Sequence, residues 1–380
     1  MKHTPIARRN AALTLSLIGG VTALSVVSAT ADPTVAIPGF TLNTFGSAPT
    51  GATKIDSITV GDNSVFVGYA DNSIKTGGAN DGTSTIAQFN LNGTLAKTFS
   101  VAGHNDGLRL DPYTNQLYAM QNEDSNAQLQ IINTATSAST VYNLPSVNHG
   151  GGFDDIRFLN GNTYITASNP ALANNTDPAL LQLQVSGTNA TLVPVLYGNA
   201  TATNSANGAS TQLNLQDPDS LTTSPDGSLV FTSQADGQLI SVHNPGQANQ
   251  ATNFMNLSYL GNPIQIDDTQ FTSTGPGTLF ITDSSNNSIY TVSGSFTGAT
   301  YSAITDDLQE QAGGPQTGSI GSLNSDGTLV PFVTGLGGPK GLDFQPAALP
   351  TPEPGTTAIM GTGLASILLL GFRRRRAVNH

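Results

Sequence analysis

Asp106-Gly107-Leu108-Arg109-Leu110, followed after a turn by Gln116-Leu117-Tyr118-Ala119, is the stretch that decides the fold. Each half is a short run of strand formers, and the acid and glycine ahead of the first supply a tight turn. Outward from it the phrase recurs. Asp56-Ser57-Ile58-Thr59-Val60 with Ser64-Val65-Phe66-Val67 precedes it. Asp155-Ile156-Arg157-Phe158 with Asn162-Thr163-Tyr164-Ile165, Asp219-Ser220-Leu221-Thr222 with Ser228-Leu229-Val230-Phe231, and Asp268-Thr269-Gln270-Phe271 with Thr278-Leu279-Phe280-Ile281 come after. Gly341-Leu342-Asp343-Phe344 is a last first-strand, and equivalent positions 58, 108, 156, 221, 269 and 342 are 50, 48, 65, 48 and 73 residues apart.

A period near 50 with paired strands and Asp/Asn/Gly turns marks an all-β chain folded as a β-propeller. About six blades are expected, with five to seven compatible. The stretch Asn199 to Gln216, polar and rich in Ala, Thr and Asn, reads as a mobile loop absorbing the long third interval. Tyr301 to Ile304 and Thr328 to Val333 read as an extra hairpin or an additional blade. The strand at Leu342 has no partner after it, because Pro346 and Pro350 begin a linker; strands from Thr34 to Thr44 are expected to complete its blade and close the ring. A β-solenoid fits less well because its repeats are shorter, and paired β-sandwiches lack a common phrase.

Composition narrows the chemistry. The 380 residues include no cysteine, so disulfides and thiolate catalysis are excluded. Between Asp32 and Leu349 six Lys/Arg stand against twenty-four Asp/Glu. Such a surface repels phosphate backbones, so nucleic acid is not an expected partner. No phosphate loop, nucleophile elbow or His-Glu-x-x-His motif is present.

Both ends read as addresses. Lys2, Arg8 and Arg9 precede an apolar run, Ala11 to Val27, and Ala29-Thr30-Ala31, which reads as a secretory signal peptide over 1–31. The propeller is expected over 32–345, and a Pro-rich linker over 346–355 carries Pro352-Glu353-Pro354. Residues 356–372 form a weakly hydrophobic span, and 373–380 a basic cytoplasmic tail opening on Arg373, Arg374, Arg375 and Arg376. This order resembles the PEP-CTERM sorting signal of bacterial envelope proteins. The resemblance implies export by the general secretion machinery, transient residence in the inner membrane of a Gram-negative bacterium, and cleavage near Pro-Glu-Pro by an exosortase. Release to the cell surface or extracellular matrix would follow, with extracellular polysaccharide as a possible partner.

The first strand of each blade lines a central channel, so the acids ahead of it should converge. These are Asp56, Asp106, Asp154 or Asp155, Asp219, and Asp267 or Asp268. Close carboxylates repel and need protons, partners or a cation. An oxygen-only ligand set selects calcium, magnesium or manganese. Asp56, Asp155, Asp219 and Asp268 are the metal candidates; His104 and His149, in equivalent leading turns, could serve as bases or ligands. Asn105-Asp106-Gly107 with Leu110-Asp111-Pro112, and Pro218-Asp219-Ser220, resemble motifs of the gluconolactonase/senescence-marker propellers and the related NHL-repeat group. That resemblance implies one divalent cation and a sugar-lactone substrate. Asn105 and Asp106 would then face the substrate, Asp219 would bind the metal and act as base, and Asp154 or Asp155 and Asp56 would take the remaining ligand positions. His149 joins Asn105 and Asp106 as a binding candidate, and Asp219, Asp106, His104 and His149 are the catalytic candidates. The expected role is a binding or structural module for polysaccharide, cation or protein, with a metal-dependent lactonase or esterase as the alternative.

Overall fold

The computed structural model describes residues 32–347, except 62, 79–80, 147–150, 168–173 and 305–317. The expected signal peptide, linker motif, membrane span and basic tail, and His149, lie outside the described residues. Among the described residues there is no helix, and none is therefore long and apolar enough to cross a membrane.

The strands form six sheets. Blade 1 runs from its inner strand outward as Ile55–Val60, Ser64–Tyr69, Thr83–Asn90 and Leu95–Ala102. Blade 2 follows as Asn105–Leu110, Gln116–Gln121, Gln128–Asn133 and Ser139–Asn143. Blade 3 is Phe153–Leu159, Asn162–Ala167, Pro178–Ser186 and Asn189–Tyr197. Blade 4 begins Pro218–Thr223, Leu229–Ser233, Gln238–His243 and Ala251–Asn256. Each inner strand packs beside the next, and the sixth, Pro339–Pro346, beside the first, so the ring is closed. The β-propeller expected from the fifty-residue period is the fold.

Blades 5 and 6 depart from the simple repeat. Thr269–Phe271 is the inner strand of blade 5, but its sheet partner is Thr300–Ile304 and not the strand beginning at Thr274. The hairpin Thr274–Asp283/Ser288–Thr297 belongs instead to blade 6, where it pairs with Pro339–Pro346 on one side and Thr41–Ser47 on the other. Blade 5 is then completed by Gly318–Leu323 and Thr328–Leu336. The segments at 301–304 and 328–333 are therefore ordinary strands of the fifth blade, which corrects the extra hairpin or additional blade. The expected closure by both chain ends holds: Thr41–Ser47 and Pro339–Pro346 share one sheet. The supposed mobile loop at 199–216 is also corrected. Thr201–Asn204 and Ser210–Gln212 form a hairpin that pairs in parallel with the outer strand of blade 4.

Six apolar clusters fill the six seams between neighbouring blades. Phe66, Ile86, Leu108 and Leu117 join blades 1 and 2, and Leu159, Leu180, Leu221 and Phe231 join blades 3 and 4. Phe280 and Ile289 meet Ile58 and Tyr69 where the ring closes. Each such fully buried side chain contributes about 1.5–3 kcal/mol. The seams, more than any one sheet, hold the ring together.

Candidate functional site at the channel mouth

Five of the six inner strands share a β-bulge at one position. In blade 1, Ile55 faces Tyr69 and Ile58 faces Val67, so three steps on the inner strand match two on its partner. The same slip separates Asn105 from Leu108, Phe153 from Ile156, and Pro218 from Leu221. In blade 6, Pro339 faces Asp283 while Leu342 faces Ile281. A bulge breaks the alternation of faces and re-aims side chains. Two consecutive residues per blade therefore line the same cavity, of about 360 Å³.

The first of the two forms a ring of Asp56, Asp106, Asp154, Asp219, Asp267 and Lys340. The second forms a deeper tier of Ser57, Gly107, Asp155, Ser220, Asp268 and Gly341. Glycine is required at 107, because a Cβ there would sit 2.2 Å from the carbonyl oxygen of Asp154. Ring and tier do different work.

In the ring, carboxylates face carboxylates. Asp106 is crowded by Asp154 on one side and Asp56 on the other. Burial, then the charge of Asp106, pushes the Asp56 carboxyl up to about 8. Burial holds Asp106, Asp154 and Asp219 well above the usual carboxylate range, with Asp154, Asp219 and Asp267 respectively the next cause. Asp267 differs, because Lys340 Nζ lies 2.7 Å from its Oδ1 and Gln234 Nε2 donates to the same oxygen at 3.2 Å. Glu123, from the loop after the second strand of blade 2, reaches the ring from the side. Oxygens of Asp106, Glu123 and Asp154 all lie within 4.8 Å of one another. Lys75, half exposed on the loop between the second and third strands of blade 1, contacts Glu123 Oε1. Asp106 Oδ2 is buried and accepts no hydrogen bond.

In the deeper tier, carboxylates are spent on the fold. Asp155 Oδ2 accepts from Arg109 Nη2 at 3.1 Å and from the Leu221 amide of blade 4 at 2.8 Å. Asp268 Oδ2 accepts from the Leu342 amide of blade 6 at 2.6 Å. Below them, Asp343 Oδ2 accepts from the Val60 amide of blade 1 at 2.7 Å. Each of these acids ties its blade to the next one around the ring. Burial, then the charge of Asp155, pushes Asp268 up to about 7, while Arg109 pulls it down.

The expected residues therefore divide. Asp56, Asp106 and Asp219 share the mouth, with Asp154 and Asp267 completing the ring, whereas Asp155 and Asp268 sit one residue deeper and bond backbone amides. His104 lines the cavity, its Nδ1 3.2 Å from Ser73 Oγ, and burial lowers its pKa against the opposing pull of Asp56. Asn105 does not line the cavity: its Nδ2 donates to the Met120 carbonyl at 2.9 Å, inside blade 2. Sequence reasoning missed Lys340, Glu123 and Lys75. A signal for Lys340 exists in Pro339-Lys340-Gly341-Leu342, which aligns with Pro218-Asp219-Ser220-Leu221. Glu123 and Lys75 lie in loops with no repeating phrase.

Comparison with known proteins bears on the address and on the fold. Residues 350–376 match the PEP-CTERM protein-sorting motif, the mark of an exosortase-processed, exported chain. No curated protein matches the chain. Similar solved structures include the periplasmic gluconolactonase PpgL of Pseudomonas aeruginosa, at 11% identity and TM-score 0.43 over 77% of this chain and 88% of that one. Virginiamycin B lyase from Staphylococcus aureus shows 12% identity and TM-score 0.42 over 82% and 89%. A protein of unknown function from Bacteroides caccae shows 10% identity and TM-score 0.46 over 76% and 85%. None of these scores reaches 0.5, so the strand pairing itself establishes the propeller.

Proposed function

We propose that this exported propeller is a divalent-cation-dependent binding module of the cell surface or extracellular matrix, with the acidic mouth as its site and hydroxyl-rich polysaccharide as its ligand. The observation that carries the reading is the convergence of Asp106, Glu123 and Asp154 within 4.8 Å, with the buried Asp106 Oδ2 lacking a hydrogen-bond donor. The donors are all carboxylate oxygens, which fits calcium, magnesium or manganese. A bound cation would neutralise the ring and offer open coordination positions to ligand hydroxyls. Asp56 and Asp219 flank the cluster and would orient whatever approaches it.

The test is thermal unfolding of the chelator-treated chain with each cation added back. A rise in melting temperature that Asp106→Asn and Asp154→Asn abolish supports the reading; no rise with any of the three cations overturns it. His104, kept neutral by burial at the same cavity, favours a second reading, hydrolysis of a lactone or ester with a ring acid or His104 as base. Turnover of sugar lactones that is lost in both Asp219→Ala and His104→Ala would replace the binding module with an enzyme. For the address, Glu353→Ala should leave unprocessed protein in the membrane fraction; unchanged release would remove the sorting reading.

A further inference from the structure

Five of the six blades bring a carboxylate to the ring, and one brings an ammonium. Lys340 occupies the ring position of blade 6 and is held there by an inner strand, its Nζ 2.7 Å from Asp267 Oδ1. Going round by blades, its neighbours are Asp267 of blade 5 and Asp56 of blade 1, and its opposite is Asp154 of blade 3. The closely spaced oxygens of Asp106, Glu123 and Asp154 therefore lie on the far arc from the lysine. The other ammonium at the mouth, Lys75, has a side chain 50% exposed and rides on a loop. Its half-exposed side chain is free to turn into water, whereas the Lys340 ammonium is paired with Asp267 in the ring itself.

We propose that Lys340 is the specificity-determining residue of the mouth: it serves as the ring's own fixed cation, keeps Asp267 out of the ligand set, and confines an external divalent ion to the arc of Asp106, Glu123 and Asp154. This rests on the cation reading above. A ring of five free carboxylates would hold charge enough for two ions. The ammonium removes one ligand and repels a second ion from its side, so the chain takes one. The ion is then off the axis, with Asp219 and Asp56 at its flanks and the open face of the cavity available to ligand.

The experiment is calorimetric titration of the metal-free full chain with calcium and, separately, manganese. The unaltered chain and Lys340→Arg should each take one ion. Lys340→Gln should take a second ion, and the added Asp267→Asn change should remove that second ion alone. Should Lys340→Gln fail to fold, Asp267→Asn by itself decides: it should still take one ion, with affinity within about tenfold of the unaltered chain. The inference is overturned if Lys340→Gln takes one ion at unchanged affinity, or if Asp267→Asn alone loses the ion. An unaltered chain that takes no ion overturns the cation reading itself, which is a separate and recognisable failure.

Discussion

Asp154 and Asp155 are adjacent in the chain, equally buried, and do opposite work. So do Asp267 and Asp268. The first of each pair stands in the ring at the mouth, where Asp154 meets other acids and Asp267 meets Lys340; the second points one step deeper, where Asp155 receives an amide and a guanidinium, and Asp268 an amide, from neighbouring blades. Both acids of each pair line the cavity, Asp154 and Asp155 by way of a bulge, and the geometry of donors around each decides which is structural. A carboxylate with fixed donors stabilises the fold, while one facing its own kind is held at a cost and is available to a ligand.

Removing a deep acid is the strongest way to break this contrast. Asp155→Ala leaves the buried Arg109 without its closest partner and unties blade 3 from the Leu221 amide, and should cost about 3–5 kcal/mol in urea unfolding. A cost below about 1 kcal/mol would mean that the deeper tier does not hold the blades.

Acidity tests both tiers at once. The Asp56 carboxyl is raised from 3.8 to about 8 and that of Asp268 from 3.8 to about 7, so the folded chain holds more protons than the unfolded one between these values. Stability from this source is full below about pH 4 and is lost as pH rises through 7 to 8, a decline on the order of 2 kcal/mol after screening by water at the mouth. Melting curves of the cation-free chain from pH 5 to 9 should show it, flattened by added calcium. A cation-free stability that climbs over this range would contradict the crowding of the ring.

Relieving the ring should act in the direction opposite to the first substitution. Asp106→Asn removes the central charge of the Asp56–Asp106–Asp154 run and should stabilise the cation-free chain near neutral pH by about 1–2 kcal/mol. The smallest change is expected at the rim. Lys75→Ala, with its side chain half in water, should alter stability by about 0.5 kcal/mol or less while strengthening cation binding. A larger loss would show that the Lys75–Glu123 contact pins the loop rather than guarding the mouth.

Much of the fold was legible because the interblade seams demand it. Ile58, Leu108, Ile156, Leu221 and Leu342 must all be buried, and a buried residue every fifty or so positions leaves a readable period. The part that misled was the pairing after Phe271. Thr278-Leu279-Phe280-Ile281 has the pattern of a second strand, and nothing local says that its partner is Leu342, some sixty residues on, rather than Thr269. Asn105 misled for a related reason: its phrase matches a substrate-facing motif, yet its amide is taken by the Met120 carbonyl within its own blade.

The sequence by itself determined the C-terminal sorting tag, the β-rich composition, the fifty-residue repeat and the placing of an acid before almost every inner strand, because strand propensity, turn chemistry and burial are local. Only the tertiary structure decided which acid of each Asp-Asp pair meets the others, that Lys340 completes their circle, and that Glu123 joins from a neighbouring loop. Those outcomes depend on bulges that offset the two-residue alternation and on hydrogen-bond donors arriving from distant blades, and neither is written in the order of residues along one strand.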